Sequence, residues 1–110
     1  DEILNTLHFA DTFDNHQFLG SQKTIKDDNQ FHLYAIEWDE NNIIWYFDQV
    51  ETFKITRSYP SIANTWPFDE EFHIILNTAV GGNLGGLIEV NSLSTPKYME
   101  VDYVKVYQKL

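Results

Sequence analysis

The sequence contains no cysteine, no long apolar run and few basic side chains. Without cysteine the chain has no disulfide framework, no thiol nucleophile and no thiolate metal site. Its longest apolar runs, such as residues 43–47, are far shorter than the roughly 20 residues that a membrane-spanning helix needs. These absences exclude a disulfide-stapled fold, thiol chemistry and a transmembrane helix.

The shortage of basic side chains leaves the chain strongly acidic. Seven Lys and Arg against 17 Asp and Glu give a formal net charge of -10 at pH 7. A field of this sign repels phosphate backbones and anionic lipid headgroups. We therefore expect neither nucleic acid nor a membrane surface as a partner, whereas a neutral polysaccharide is not repelled.

What the chain does have is apolar residues (43%) and aromatic residues (15%), enough for one domain with a core. The apolar residues favour β-branched and aromatic types in short runs between Asn, Asp, Gly and Pro, and no segment has a sustained helical stripe. This pattern predicts an all-β fold in a single segment, residues 1–110. The predicted strands are residues 6–9, 18–24, 31–38, 43–47, 51–55, 72–78 and 98–107.

The middle strands are predicted to form an antiparallel meander inside a sandwich. A polar loop at residues 39–42 and a turn at Asp48 and Gln49 would join them, although Gln49 stands where such a turn prefers glycine. Residues 31–38 and 43–47 carry apolar groups on both alternating faces, which predicts cover on each side. Loop composition at residues 60–68 and 81–96 predicts long rim loops, which often carry function.

Two pairs of carboxylates have the spacing that places both on one face of a strand: Glu37 with Asp39, and Glu100 with Asp102. Cleavage of a glycosidic bond usually needs two facing carboxyl groups. Neither pair is followed by a third acid two or three residues on, so we predict that neither is catalytic.

Asp102 also heads an alternating face whose other members are apolar, Val104 and Val106. A carboxylate on an inward face needs a cation or several donors to offset its desolvation. Ca²⁺ could supply this, together with backbone carbonyls. The alternative is an edge-strand acid tipped into solvent.

The four histidines, at positions 8, 16, 32 and 73, show no short metal-ligand spacing, which argues against zinc. His32 and His73 each follow a Phe and are expected in or beside the core. His8 stands at a strand end, where it either hydrogen-bonds a substrate hydroxyl or is a plain surface histidine.

One tryptophan and one asparagine are candidates for ligand contact. Trp38 and Trp45 lie inside strands and are expected in the core, whereas Trp66 lies in a loop, where an aromatic ring can stack on a sugar. Asn77 follows an apolar run and precedes a glycine pair, so its amide either contacts a ligand or caps the turn.

Five ordered segments carry a family signature: FHLYAIEW (residues 31–38), IWYFD (44–48), WPFD (66–69), FHIILNTAVGGN (72–83) and MEVDYVKVY (99–107). In this order they resemble the second half of glycoside hydrolase family 16, and most of all the laminarinases, its endo-1,3-β-glucanase branch. The resemblance covers about residues 6–108. Leu84 departs from it, because laminarinases commonly have a Trp shortly after Gly-Gly-Asn.

The resemblance implies a concanavalin-like, antiparallel β-jelly-roll sandwich that cleaves β-1,3 or mixed-linkage glucan with retention. It places His8, Trp66 and Asn77 along or near the glucan cleft, and it makes Asp102 the carboxylate of a structural Ca²⁺ site. The family's catalytic Glu-x-Asp-x-x-Glu strand is absent. We therefore expect the chain to be the C-terminal half of such a protein, beginning after that strand.

Three hypotheses follow. The chain is part of a secreted or periplasmic endo-1,3(4)-β-glucanase, or a non-catalytic β-glucan-binding module, or a structural β-domain without a ligand. The first predicts β-1,3-glucan as substrate and no hydrolysis by this chain alone. Unpaired strand edges and apolar surface further predict association with the missing N-terminal half or with a second copy.

Overall fold

The computed structural model describes residues 2–26, 29–89, 91 and 94–110, in two compact units, Asp1–Phe72 and His73–Leu110. The all-β class is confirmed, because every strand pairs antiparallel and the only helix in the described ranges is one turn long. In the first unit, sheet A contains β1 (Glu2–Ala10) and β2 (His16–Thr24). Sheet B contains, in this order, β3 (Tyr34–Trp38), β4 (Asn42–Phe47) and β5 (Val50–Thr56).

Strand β1 of sheet A follows the two-residue period of a strand with one buried face. In β1 every second residue is buried: Ile3, Asn5, Leu7 and Phe9. The side chains between them are exposed or half-buried and form the outer face. Asn5 is the one polar residue on the inner face, and its Nδ2 donates to Ser21 Oγ at 3.2 Å, so its burial is compensated.

Sheet B is the predicted meander, and its turns explain its register. β3 and β4 are joined by three residues, where Asp39 Oδ1 accepts from the backbone N–H groups of Asn41 and Asn42, both at 2.8 Å. β4 and β5 are joined by Asp48 and Gln49, whose φ angles of 49° and 67° are both positive. Positive φ at both central residues is the geometry of a type I′ hairpin turn, so Gln49 takes a conformation that glycine would adopt at less cost.

The core of the first unit lies between the two sheets. Leu7 and Phe9 of β1 pack into one cluster with Ile43 and Trp45 of β4. Three further members complete the cluster: Ile55, Ile62 and Trp66. Ile62 is fully buried, so the segment after β5 closes one side of the core rather than forming an open rim loop.

The apolar face of β3 is less covered than the sequence predicts. Its residues Tyr34, Ile36 and Trp38 stand opposite the buried residues of β4, yet all three are exposed, Trp38 to 50%. The predictions that both faces are covered and that Trp38 packs in the core are wrong here. β3 is an edge strand of the three-stranded sheet B. Sheet A has only two strands, so it is too narrow to cover the side chains of β3.

The prediction of two further strands, at residues 72–78 and 98–107, is wrong for the structure around and within the second unit, His73–Leu110. Both segments are without strand structure, and their apolar residues, Ile75 and Val106 among them, are exposed. The only element in the described part of this unit is a helical turn, α1 (Gly82–Gly85). A strand exists only where a neighbour completes its hydrogen-bond ladder, and an apolar sequence pattern does not supply that neighbour.

The carboxylate of Asp48 ties the β4–β5 turn to the segment that enters β3. Its Oδ1 accepts from the backbone N–H of Leu33 at 2.9 Å, and its Oδ2 lies 2.8 Å from His32 Nδ1. The Leu33 hydrogen bond, followed by that of His32, lowers the pKa of Asp48 below its ordinary 3.8. The charged form is therefore the one that the fold stabilises.

The lowered pKa of Asp48 predicts how the stability of the fold changes with pH. Because the pKa of Asp48 is lowered on folding, its stabilisation is complete above pH 3.8 and is lost as the pH falls through the folded-state pKa. We expect the Asp48→Asn variant to lose less stability than wild type on acidification. Urea midpoints between about pH 5 and about pH 2 measure this. Glu70→Gln, at an exposed carboxylate, is the control, and an acid profile of Asp48→Asn parallel to wild type would contradict the prediction.

Candidate functional site

The outer face of sheet A carries a group of ring side chains, His8, His16 and Phe18, which we call the imidazole–aromatic surface. The ladder pairs His8 with Phe18 and Ala10 with His16, so His8 is directly opposite Phe18 and diagonal to His16. Cross-strand neighbours at these positions are within reach of long and aromatic side chains. The register of β1 and β2 therefore places His16 and Phe18, which follow His8 by eight and ten positions, beside His8.

His8 and His16 meet edge to edge. Nδ1 of His8 lies 2.9 Å from Nε2 of His16, whereas the ring centroids are 5.1 Å apart and the ring planes differ by 13°. A short nitrogen distance with distant centroids and nearly parallel planes is the geometry of an in-plane N–H···N hydrogen bond. One ring donates its proton and the other accepts it, so the two imidazoles form one coupled unit.

Phe18 extends this unit into an apolar patch. Its ring centroid lies 6.4 Å from that of His8 and 6.5 Å from that of His16, and the side chain is 67% exposed. An exposed aromatic ring beside imidazole nitrogens offers both an apolar face for stacking and polar atoms for hydroxyl groups. This combination suits a ligand that is apolar on its faces and polar at its edges.

Asp11 holds the hairpin loop that presents this surface. Its Oδ1 accepts from the backbone N–H groups of Phe13 at 2.8 Å and Asn15 at 3.0 Å, and its Oδ2 accepts from Gln17 Nε2 at 3.1 Å. The backbone hydrogen bond from Asn15, followed by that from Phe13, lowers the pKa of Asp11. The carboxylate thus fixes the loop that leads β1 into β2 and brings His16 next to His8.

Trp66 has a different environment from the one that its loop position suggests. It is only 7% exposed and belongs to the core cluster, with its ring edge-on to Phe68 at 5.2 Å between centroids. Its Nε1 is buried and has no hydrogen-bond partner in the part of the chain that the structure describes. The ring could lie against a sugar only by leaving the core, so here it is a packing residue, and its sugar-stacking role stays a prediction.

Asn77 and Asp102 both lie in the second unit, and both are exposed. No group of three or more His, Asp or Glu side chains that could hold a metal ion is found among the described residues. Asp102 alone falls far short of the six to eight oxygen ligands that Ca²⁺ takes. The residues present therefore do not form a Ca²⁺ site around Asp102 by side chains, and Ca²⁺ binding there stays a prediction, as does ligand contact by Asn77.

Glu37 and Tyr46 form a second polar feature, on the outer face of sheet B. Tyr46 Oη donates to Glu37 Oε2 at 3.1 Å beside an open depression of about 270 Å³. Desolvation, and then the hydrogen bond to Glu37, raise the pKa of Tyr46. Glu37 is thus engaged with a phenol, while Asp39 is engaged in its turn, so each carboxylate of this pair has a local structural partner.

The sequence pattern pointed to His8 but missed His16 and Phe18. Their signal is the hairpin itself, because two strands joined by a short loop bring residues on either side of the loop together. The loop at residues 11–15 was not predicted, so this pairing could not be read from the sequence.

In the described residues, no helix is long and apolar enough to cross a membrane.

Comparisons with known proteins find a family model and relatives whose names refer to β-glucan. A family model described as beta-glucan synthesis-associated protein SKN1/KRE6/Sbg1 matches residues 9–110. A glucan endo-1,3-beta-glucosidase A1 of Niallia circulans is 35% identical over an alignment of 117 positions, and the matched region covers 97% of this chain and 17% of that protein. A beta-glucanase of Rhodothermus marinus is 39% identical over 82 residues, 71% of this chain and 29% of that protein.

A third relative carries a different kind of name. A beta-1,3-glucan-binding protein of Penaeus monodon is 30% identical over 73 residues, which cover 52% of this chain and 20% of that protein. No solved structure matches the chain. The chain therefore spans less than a third of the length of each of these three relatives.

Proposed function

Because the chain belongs to the SKN1/KRE6/Sbg1 family of beta-glucan synthesis-associated proteins, we propose that it binds β-1,3-glucan through the imidazole–aromatic surface of sheet A. The resemblance to endo-1,3-β-glucanases is confirmed by the relatives, two of which are named for acting on or binding β-1,3-glucan. Those relatives are much longer than this chain, so a complete hydrolytic activity does not transfer with the resemblance.

The observation that carries the proposal is the exposed Phe18 beside the coupled imidazoles. A glucose ring has an apolar face that can cover Phe18 and hydroxyl groups that can reach a histidine nitrogen at its edge. The strongly acidic chain does not repel a neutral glucan, whereas it does repel anionic polymers. His8 keeps the role predicted for it, and His16 and Phe18 join it.

Titration of laminarin oligosaccharides by calorimetry tests this proposal. We expect Phe18→Ala to weaken binding about ten-fold, equivalent to about 1.4 kcal/mol, because stacked apolar area is lost. His8→Ala is expected to act in the same direction. Phe13→Ala is the matched control, since Phe13 is 83% exposed but lies in the hairpin loop outside this surface. Absence of wild-type binding, or equal losses from Phe13→Ala and Phe18→Ala, would overturn the proposal.

A second candidate function is suggested by the relatives named as glucanases. On this view the chain is part of a secreted, retaining endo-1,3(4)-β-glucanase whose catalytic carboxylates are not among these 110 residues. Retaining cleavage needs two carboxyl groups about 5–5.5 Å apart. Release of reducing ends from laminarin by this chain, lost on replacing Glu100 or Asp102, would contradict the assignment of those carboxylates elsewhere.

A further inference from the structure

The histidine pair of sheet A has a geometry that matters beyond sugar binding. His8 and His16 are eight residues apart in sequence, a spacing that does not suggest a metal site. The hairpin nevertheless brings Nδ1 of His8 to 2.9 Å from Nε2 of His16. Both rings stand on one face of a two-stranded ladder, so the backbone already holds two imidazole ligands side by side.

The distance between these nitrogens can be compared with the requirement of a metal ion. For metal–nitrogen bonds of about 2.0–2.1 Å, two ligands in cis positions at a right angle are about 2.9 Å apart, and two ligands of a tetrahedron are about 3.3 Å apart. The observed 2.9 Å is the length of the hydrogen bond between the two rings, and it shows that the hairpin already brings two imidazole nitrogens to about the separation of two ligands of one metal ion. Tetragonal geometry with nitrogen ligands is typical of Cu²⁺ and Ni²⁺, whereas Zn²⁺ prefers a tetrahedron.

We propose that His8 Nδ1 and His16 Nε2 form a bidentate site for a tetragonal divalent transition-metal ion, with Cu²⁺ held most tightly. Water completes the coordination, because the described residues bring no third histidine or carboxylate into a cluster with this pair. Affinity follows the order Cu²⁺ above Ni²⁺, and Cu²⁺ above Zn²⁺. The acidic chain also favours the approach of a cation.

Metal binding at this site requires a rotation of the two imidazole rings. The two nitrogens now point at each other through a shared proton, and each ring must turn so that both lone pairs meet at one point beside the pair. The χ2 torsion of histidine is broad, so this rotation is inexpensive. The ring that donates the shared proton must carry that proton on its other nitrogen when the metal binds, so that both facing nitrogens present a lone pair.

The experiment is a titration of the 110-residue chain with Cu²⁺ alone, followed by calorimetry and by electron paramagnetic resonance. We expect one Cu²⁺ with two nitrogen ligands in wild type. His8→Gln and His16→Gln should each weaken binding by about 10²-fold, because the second bond of a chelate forms inside the molecule at high effective concentration. The double variant should bind more weakly than either single variant, but by less than the product of the two single losses, because one substitution already breaks the chelate.

His73→Gln is the matched control, since His73 is exposed in the second unit and should leave Cu²⁺ affinity unchanged. Far-ultraviolet circular dichroism establishes that the variants remain folded. A loss in His73→Gln as large as that in His8→Gln, or one nitrogen ligand in wild type, would overturn the metal site. The inference does not rest on glucan binding. A wild-type chain that binds laminarin but does not bind Cu²⁺ would overturn the metal site alone.

Discussion

Replacing Trp66 with alanine is expected to lower the free energy of unfolding of the first unit by about 3–5 kcal/mol, the usual cost of removing a buried aromatic side chain. Trp66 is only 7% exposed and packs in the cluster that joins the two sheets. Its removal leaves a cavity that residues on both sheets can fill only in part. Urea denaturation followed by circular dichroism measures the change.

The chain offers its own controls for this experiment. Trp45→Ala should cost a similar amount, since Trp45 is a buried member of the same cluster, whereas Trp38→Ala should cost much less because Trp38 is half exposed. A Trp66→Ala variant as stable as wild type but unable to bind laminarin would show that Trp66 contacts sugar rather than the core.

Replacing Gly20 with alanine is expected to destabilise sheet A by about 1–3 kcal/mol through overpacking. A Cβ at position 20 would lie 2.5 Å from the backbone oxygen of Asn5 and 3.1 Å from Thr6 Oγ1. The closest atom belongs to the backbone of β1, so relief requires the two strands to separate. Gly20 lies opposite Thr6 in the same ladder that pairs His8 with Phe18, so strand separation should also disturb the imidazole–aromatic surface.

Two measurements test the Gly20 prediction together. Urea denaturation gives the loss of stability, and amide exchange in β1 and β2 shows whether the loss is local to sheet A. Gln22→Ala is the control, because Gln22 is exposed on the same strand and has a Cβ already. Gly20→Ala with wild-type stability and unchanged amide exchange would mean that β1 adjusts without cost.

The turns of the meander show which features of the fold local sequence chemistry can predict. Polar residues between apolar runs predicted both turns of sheet B, and both are present, because turn formation depends on residues that are adjacent in sequence. The loop between β3 and β4 is one residue shorter than predicted, since Asn42 already pairs with Thr56 in the ladder. Errors of this size are expected where the end of a strand is decided by its partner.

The segments at residues 72–78 and 98–107 show where the same reasoning fails. They have strand-like composition, yet they are without strand structure here, because a ladder partner is a property of the fold and not of the segment. Trp66 illustrates the opposite case, in which a loop residue is buried. Its loop sequence suggested exposure, but the segment after β5 turns back so that Ile62 and Trp66 fill the space between the sheets.

The sequence by itself determined the all-β class, the meander and the acidic character of this protein, and its ordered segments indicated the glucanase-related family. These properties depend on composition, local turn chemistry and motif order. Only the tertiary structure decided that Trp66 is a core residue, and only the register of β1 and β2 placed His8 beside His16 and Phe18. Burial and side-chain pairing depend on which distant segments meet, because cross-strand contacts join residues that the sequence keeps apart.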